Sequence, residues 1–112
     1  MDQNCIFCKI IAGEIPSKKI YEDDKMLAFY DIEPKAKVHF LVVPKTHAIT
    51  CADDITEENS EVIAEIFAQI PKIVKSLGLT GGYRIINNCK EAAGQTVFHL
   101  HFHVLSGQEL EW

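Results

Sequence analysis

Thr96-Val97-Phe98-His99-Leu100-His101-Phe102-His103-Val104-Leu105 sets three histidines at i, i+2 and i+4, alternating with Leu100, Phe102 and Val104. A period of two belongs to a strand with one apolar face, so His99, His101 and His103 are expected to share the other face. Same-face neighbours on a strand stand roughly 6.5–7 Å apart, which lets one phosphate-sized group bridge adjacent rings. A lone histidine on a strand is usually a satisfied or exposed residue. Three in strict alternation point instead to metal binding, phosphoryl chemistry or both, and the interleaved hydrophobes exclude a tag.

Outward from this stretch, Cys89 to Gln95 reads as a loop containing Ala92-Ala93-Gly94. Glycine there allows close backbone approach, and free amides can cradle an anion without net positive charge. Gly82 to Asn88 and Thr96 to Leu105 are expected as strands on either side of the loop, and the β-branched run Val38 to Pro44 as a third strand, from which His39 projects. Lys19 to Tyr21 and Met26 to Tyr30 make two more strands, turning at Asp23-Asp24; Asp31 leaves the second of them before Glu33-Pro34. Thr56 reads as the N-cap of one amphipathic helix from about 57 to 77, with Val62, Ile63, Ile66, Phe67, Ile70, Ile73, Val74 and Leu77 at three-four spacing and Gly78 as its stop. Pro71 inside it removes a donor and is expected to kink it near Phe67. Cys5 to Gly13 reads as a short helix. Five strands, a brief helix and a long one predict a single α+β domain over residues 1–112, its five-stranded antiparallel sheet covered by the long helix.

With 112 residues, 47% hydrophobic, the chain can bury a useful core, although one this short gains from a partner surface or a metal staple. The net charge of −5 argues against non-specific nucleic-acid binding. Met1-Asp2-Gln3-Asn4 has no basic or apolar leader character, and no apolar run reaches the roughly 18 residues of a membrane span. A cytoplasmic protein is therefore expected, with no membrane partner. Cys51 and Cys89 read as ordinary free thiols. Cys5 and Cys8 form a C-x-x-C at a helix start; a redox role would call for a preceding strand, whereas only four polar-flanked residues precede it, so zinc is favoured. The remaining donors of a four-ligand site would come from among His39, His47, His99, His101 and His103.

His99-Leu-His101-Phe-His103-Val-Leu, preceded by Ala93-Gly94-Gln95-Thr96, resembles the signature and phosphate loop of the histidine triad (HIT) superfamily. Cys5-Ile-Phe-Cys8, Gly13-Glu-Ile-Pro16, Ala28-Phe-Tyr-Asp31-Ile32, His39-Phe-Leu-Val-Val-Pro44-Lys-Thr-His47 and Gly82-Tyr-Arg-Ile-Ile-Asn-Asn88 resemble its Hint branch, the nucleoside phosphoramidases, in order and spacing. The resemblance implies a HIT-like fold, a homodimer with its two sheets joined, and a structural zinc held by Cys5, Cys8, His47 and His99. It implies that His101 attacks the α-phosphorus of an AMP derivative to give an adenylyl-histidine. His103 would bind a non-bridging oxygen and His39 would orient an imidazole. Gly94, Gln95, Thr96 and Asn88 would hold the phosphate and leaving group. Asp31 would take the ribose hydroxyls, a role that competes with that of an ordinary turn residue, and Ile6, Phe7, Ile10, Phe29 and Ile32 would line the purine slot. The tail ending at Trp112 resembles the Hint tail, where a tryptophan reaches the partner's site.

Two other activities fit the same residues. Hydrolysis of dinucleoside polyphosphates would use the same histidines and loop. A zinc-stabilised nucleotide-binding or interaction protein would turn over little substrate and tolerate loss of His101.

Overall fold

The computed structural model describes residues 4–112; the polar start Met1-Asp2-Gln3 lies outside them. Elements follow one another as α1 (Ile6–Ile11), β1 (Lys19–Glu22), β2 (Met26–Tyr30), β3 (Val38–Pro44), α2 (Glu61–Ser76), β4 (Tyr83–Ile86) and β5 (Phe102–Ser106), with short 3-10 turns at Ala52–Asp54 and Glu91–Ala93. The five strands form one antiparallel sheet in the order β1-β2-β3-β5-β4. Strand alternation then sorts the side chains. Phe40 and Val42 of β3 join Met26, Ala28, Leu100, Phe102 and Val104 beneath Ile66, Ile70, Ile73 and Val74 of α2. Leu41 and Val43 face the other way, with Leu27 and Phe29, against Phe7, Cys8 and Ile10 of α1. The α+β class and the two helices are as expected, with α1 covering one face of the sheet and α2 the other.

Most boundaries move by no more than two residues, β4 to Tyr83–Ile86 and α1 to Ile6–Ile11 among them, and two move further. The long helix starts at Glu61, not near 57, because Thr56 makes a turn of its own: its Oγ1 accepts from the Asn59 N–H at 3.3 Å while Asn59 Oδ1 accepts from the Thr56 N–H at 2.8 Å. The helix is assigned without a break across Pro71. The last strand starts at Phe102, not Thr96, because the segment ahead of it satisfies its backbone outside the ladder. Leu100 N–H donates to the Ile49 carbonyl at 3.0 Å, and the His101 carbonyl accepts from Asn87 Nδ2 at 2.9 Å. Opposite lies Pro44, which has no N–H to offer. Leu100 still packs with Phe102 and Val104 under α2, so the alternation persists where the ladder does not.

Candidate active site

His103 pairs with Leu41 in the β3–β5 ladder and His39 with Leu105, which makes the two histidines diagonal neighbours on the α1 face. His39 Nδ1 accepts from the Lys35 N–H at 2.9 Å, so in the neutral ring the proton sits on Nε2. That Nε2–H points at His103 Nδ1, 2.9 Å away, with Asp31 Oδ2 at 3.4 Å. His103 Nδ1 is then an acceptor and its Nε2 carries a proton, leaving a single N–H donor for whatever occupies the site. Burial, opposed by Asp31, lowers the pKa of His39, which is therefore neutral near pH 7. Burial, reinforced by His101 and His39, takes that of His103 down to about 4.

The middle histidine is wired the opposite way. His101 Nδ1 lies 2.8 Å from the His99 carbonyl, and a carbonyl can only accept, so Nδ1 carries the proton and Nε2 keeps its lone pair. Burial lowers the His101 pKa against that hydrogen bond and against Asp31, which keeps the ring neutral and nucleophilic. Its ring stands 5.0 Å from that of His103 and 4.9 Å, edge-on, from Phe7 of α1.

His99 faces elsewhere. It is fully buried, and its Nε2–H donates to the Pro44 carbonyl at 2.7 Å, which turns an unprotonated Nδ1 toward two sulfurs and a second imidazole. Cys5 Sγ lies 3.4 Å from His99 Nδ1, Cys8 Sγ 3.5 Å from His99 Nδ1 and 3.2 Å from His47 Nδ1, and the two Nδ1 atoms are 3.2 Å apart. The four donor atoms all fall within 4.8 Å of one another and could hold a metal ion. Cys5 is also the N-cap of α1, its sulfur accepting the Cys8 N–H at 3.2 Å. Asp31, His39 and His103 converge as well, but there the Lys35 amide occupies His39 Nδ1 and leaves Nε2 protonated, which suits a hydrogen-bond chain rather than a ligand set.

The loop ahead of the histidines carries two backbone features that the sequence did not announce. Lys90 has φ +74° and ψ 165°, a region that a side chain makes costly, and Gly94 follows at φ +95°. Gln95 holds this shape from inside. Its Oε1 accepts the Lys90 N–H at 2.7 Å, and its Nε2 donates to the carbonyls of Thr50 at 2.6 Å and Val97 at 3.1 Å. The Gln95 side chain, expected at the phosphate, is buried and builds the loop, while Gly94 and Thr96 are exposed on it. Asn88 is half-buried; its neighbour Asn87, which the sequence reading passed over, bridges the His101 carbonyl and the Ala52 N–H.

Of the apolar residues expected in a purine slot, Phe7, Ile10 and Phe29 are core residues, whereas Ile6 is 44% and Ile32 91% exposed. Asp31 makes the expected turn bond, its Oδ1 accepting the Glu33 N–H at 2.8 Å, while Oδ2 faces His39. Beside it a cleft of about 630 Å³ is lined by Pro16, Ser17, Lys18, Tyr30, Asp31 and Ile32. That is within the size range of small-molecule sites.

Sheet, loop and histidines together define an α+β domain whose site is a row of neutral imidazoles of assigned tautomer, flanked by a Cys/His cluster. The chain belongs to the HIT domain family, whose pattern it matches over residues 12–110. It is 42% identical to protein HitA of Neisseria gonorrhoeae over 91% of this chain and 94% of that protein, and 45% identical to protein hit of Bacillus subtilis over 92% and 70%. Among solved structures, a histidine triad protein from Clostridium difficile superposes with TM-score 0.94 at 47% identity, and a HIT family hydrolase from Clostridium thermocellum with TM-score 0.95 at 46%. Each comparison covers 99% of this chain and 96% of the other. No helix among the described residues is long and apolar enough to cross a membrane.

Proposed function

We propose that this chain is a nucleotide hydrolase that cleaves adenosine 5′-phosphoramidate-type substrates, AMP-amine or AMP-lysine, through an adenylyl-histidine on His101. The observation that carries the reading is the 2.8 Å hydrogen bond from His101 Nδ1–H to the His99 carbonyl, which leaves a buried neutral imidazole with its Nε2 lone pair free. The kinship with the hydrolase of C. thermocellum supports it.

His101 Nε2 attacks the α-phosphorus; the N–P bond forms as the substrate's P–N bond breaks, and the amine departs with a proton, for which the Thr96 hydroxyl is the proposed donor. Water then attacks the phosphorus, its proton returning to Thr96, and the His101 N–P bond breaks to release AMP and restore the imidazole. His103, fixed by His39 as an Nε2–H donor, binds a non-bridging oxygen on which charge grows in the transition state. The amides of Gly94 and Thr96, with Asn88, hold the phosphate. Asp31 takes the ribose diol through its carboxylate, and Ile6 and Ile32, with Phe7, Ile10 and Phe29 behind them, flank the purine.

Zinc is the metal proposed for Cys5, Cys8, His47 and His99. A tetrahedron with Zn–N of about 2.0–2.1 Å and Zn–S of about 2.3 Å would call for N-to-N separations of about 3.3 Å and N-to-S separations of about 3.5 Å, which the His47–His99 spacing and three Cys–His spacings, 3.2 to 3.5 Å, fit. With four protein donors the ion would have no open position for substrate or water, and its part would be to pin His99, whose carbonyl sets the His101 tautomer. A homodimer and a cytoplasmic setting belong to the same proposal.

Brief mixing of the zinc-loaded protein with an adenosine phosphoramidate, read by intact-protein mass spectrometry, tests it. Wild type is expected to show a transient AMP adduct with release of amine, and His101→Ala neither. Normal turnover by His101→Ala removes the nucleophile, and turnover confined to a dinucleoside polyphosphate transfers the activity to that substrate.

A further inference from the structure

Cys51 and Cys89 lie outside the metal cluster and have no part in the proposed reaction, yet the fold brings them together. Cys51 begins the 3-10 turn Ala52–Asp54, and Cys89 leads from β4 into the loop ahead of the histidines. Three contacts lace these segments: Ala52 N–H to Asn87 Oδ1 at 3.2 Å, Lys90 Nζ to Asp53 Oδ2 at 2.7 Å, and Gln95 Nε2 to the Thr50 carbonyl at 2.6 Å. These contacts set Cys51 and Cys89 side by side, near enough that the Cys51 side chain is the leading influence on the Cys89 thiol, ahead of the Asp53 backbone. Cys51 is buried and Cys89 half-buried, so Cys89 is the more accessible residue of the pair.

We propose that Cys51 and Cys89 are a reversible oxidation site that takes a hydroperoxide and closes to a disulfide, clamping the loop to the 50–54 segment. Cys89 sulfur attacks the peroxide; the O–O bond breaks, an alcohol leaves with the thiol proton, and Cys89 becomes a sulfenic acid. Cys51 sulfur then attacks Cys89 sulfur, the S–O bond breaks, and water departs with the Cys51 proton. Two electrons pass from the thiols to the peroxide. The Cys51 side chain raises the Cys89 pKa, so Cys89 is a thiol near neutrality and attacks the peroxide through its minor thiolate fraction. The effect on a bound phosphate rests on the reading of this loop as the phosphate end; the cross-link itself does not.

The test treats the full chain, with zinc present, with hydrogen peroxide, blocks free thiols, and maps tryptic peptides without reduction. Expected is peptide 46–72 joined to peptide 85–90, two hydrogens lighter than their sum and separated by dithiothreitol. Cys51→Ser is expected to leave a Cys89 sulfenic acid that dimedone traps. Hydrogen exchange of residues 89–96 is expected to slow at least threefold in the oxidised protein. Absence of the cross-link while Cys89 is oxidised overturns the site, and a cross-link with unchanged exchange overturns the clamp.

Discussion

The direction of each imidazole follows from what its second nitrogen meets: an amide at His39, an imidazole at His103, carbonyls at His99 and His101. Because the partner's chemistry is fixed, so is the tautomer, and neighbouring rings two residues apart come out with an N–H on one Nε2 and a lone pair on the other. Keeping them neutral has a consequence for stability. Above pH 6.5 neither folded nor unfolded chain protonates His103; between about 6.5 and about 4 the unfolded chain binds a proton that the folded one does not. Stability is therefore expected to fall as pH drops through that window and to level off below it for this group, by at most about 2 kcal/mol at pH 5 from His103. His39 and His101 act in the same direction. Urea denaturation from pH 8 to pH 4.5 checks this; a midpoint that does not move would contradict the neutral wiring.

At the level of elements, α1 is too short to persist alone, and it is held to the sheet by Phe7 and Ile10 and by Cys5 and Cys8. If the Cys/His cluster carries zinc, a chelator frees Cys5, Cys8, His47 and His99 together and loosens α1, whereas the core under α2 is untouched. The expected result is a midpoint lowered by about 10 °C with far-UV dichroism largely kept, measured by thermal melts before and after chelation. Parallel melts would mean the cluster binds no metal. Much of this arrangement was legible in the chain. Val38 to Pro44 gave its strand without error, and the alternation of His99 to Val104 gave the two faces. The site's finer details were not, because they depend on residues far apart in sequence. Asn87 reaching the His101 carbonyl, Gln95 turned inward and the Lys35 amide on His39 leave no local pattern, and Thr56 pairs with Asn59 in a way that resembles a helix cap in sequence alone.

Across the whole molecule the sheet separates two tasks. One face buries an apolar core against α2; the other carries α1, the imidazoles and the Cys/His cluster. The outer strands β1 and β4 have one neighbour each, and Arg84 of β4 grips the tail, its Nη1 donating to the Glu111 carbonyl at 2.7 Å and its Nη2 to that of Leu110 at 3.4 Å. Beyond that grip Trp112, the chain's one tryptophan, is fully exposed. The protein thus carries an optical probe that is blind to its own folding and sensitive to its company. Indole emission is expected to stay red when urea unfolds the isolated chain, and to shift to the blue when a second copy covers the tail. A dilution series read by fluorescence would then report association directly, and an unchanging wavelength would leave the tail uncovered at every concentration.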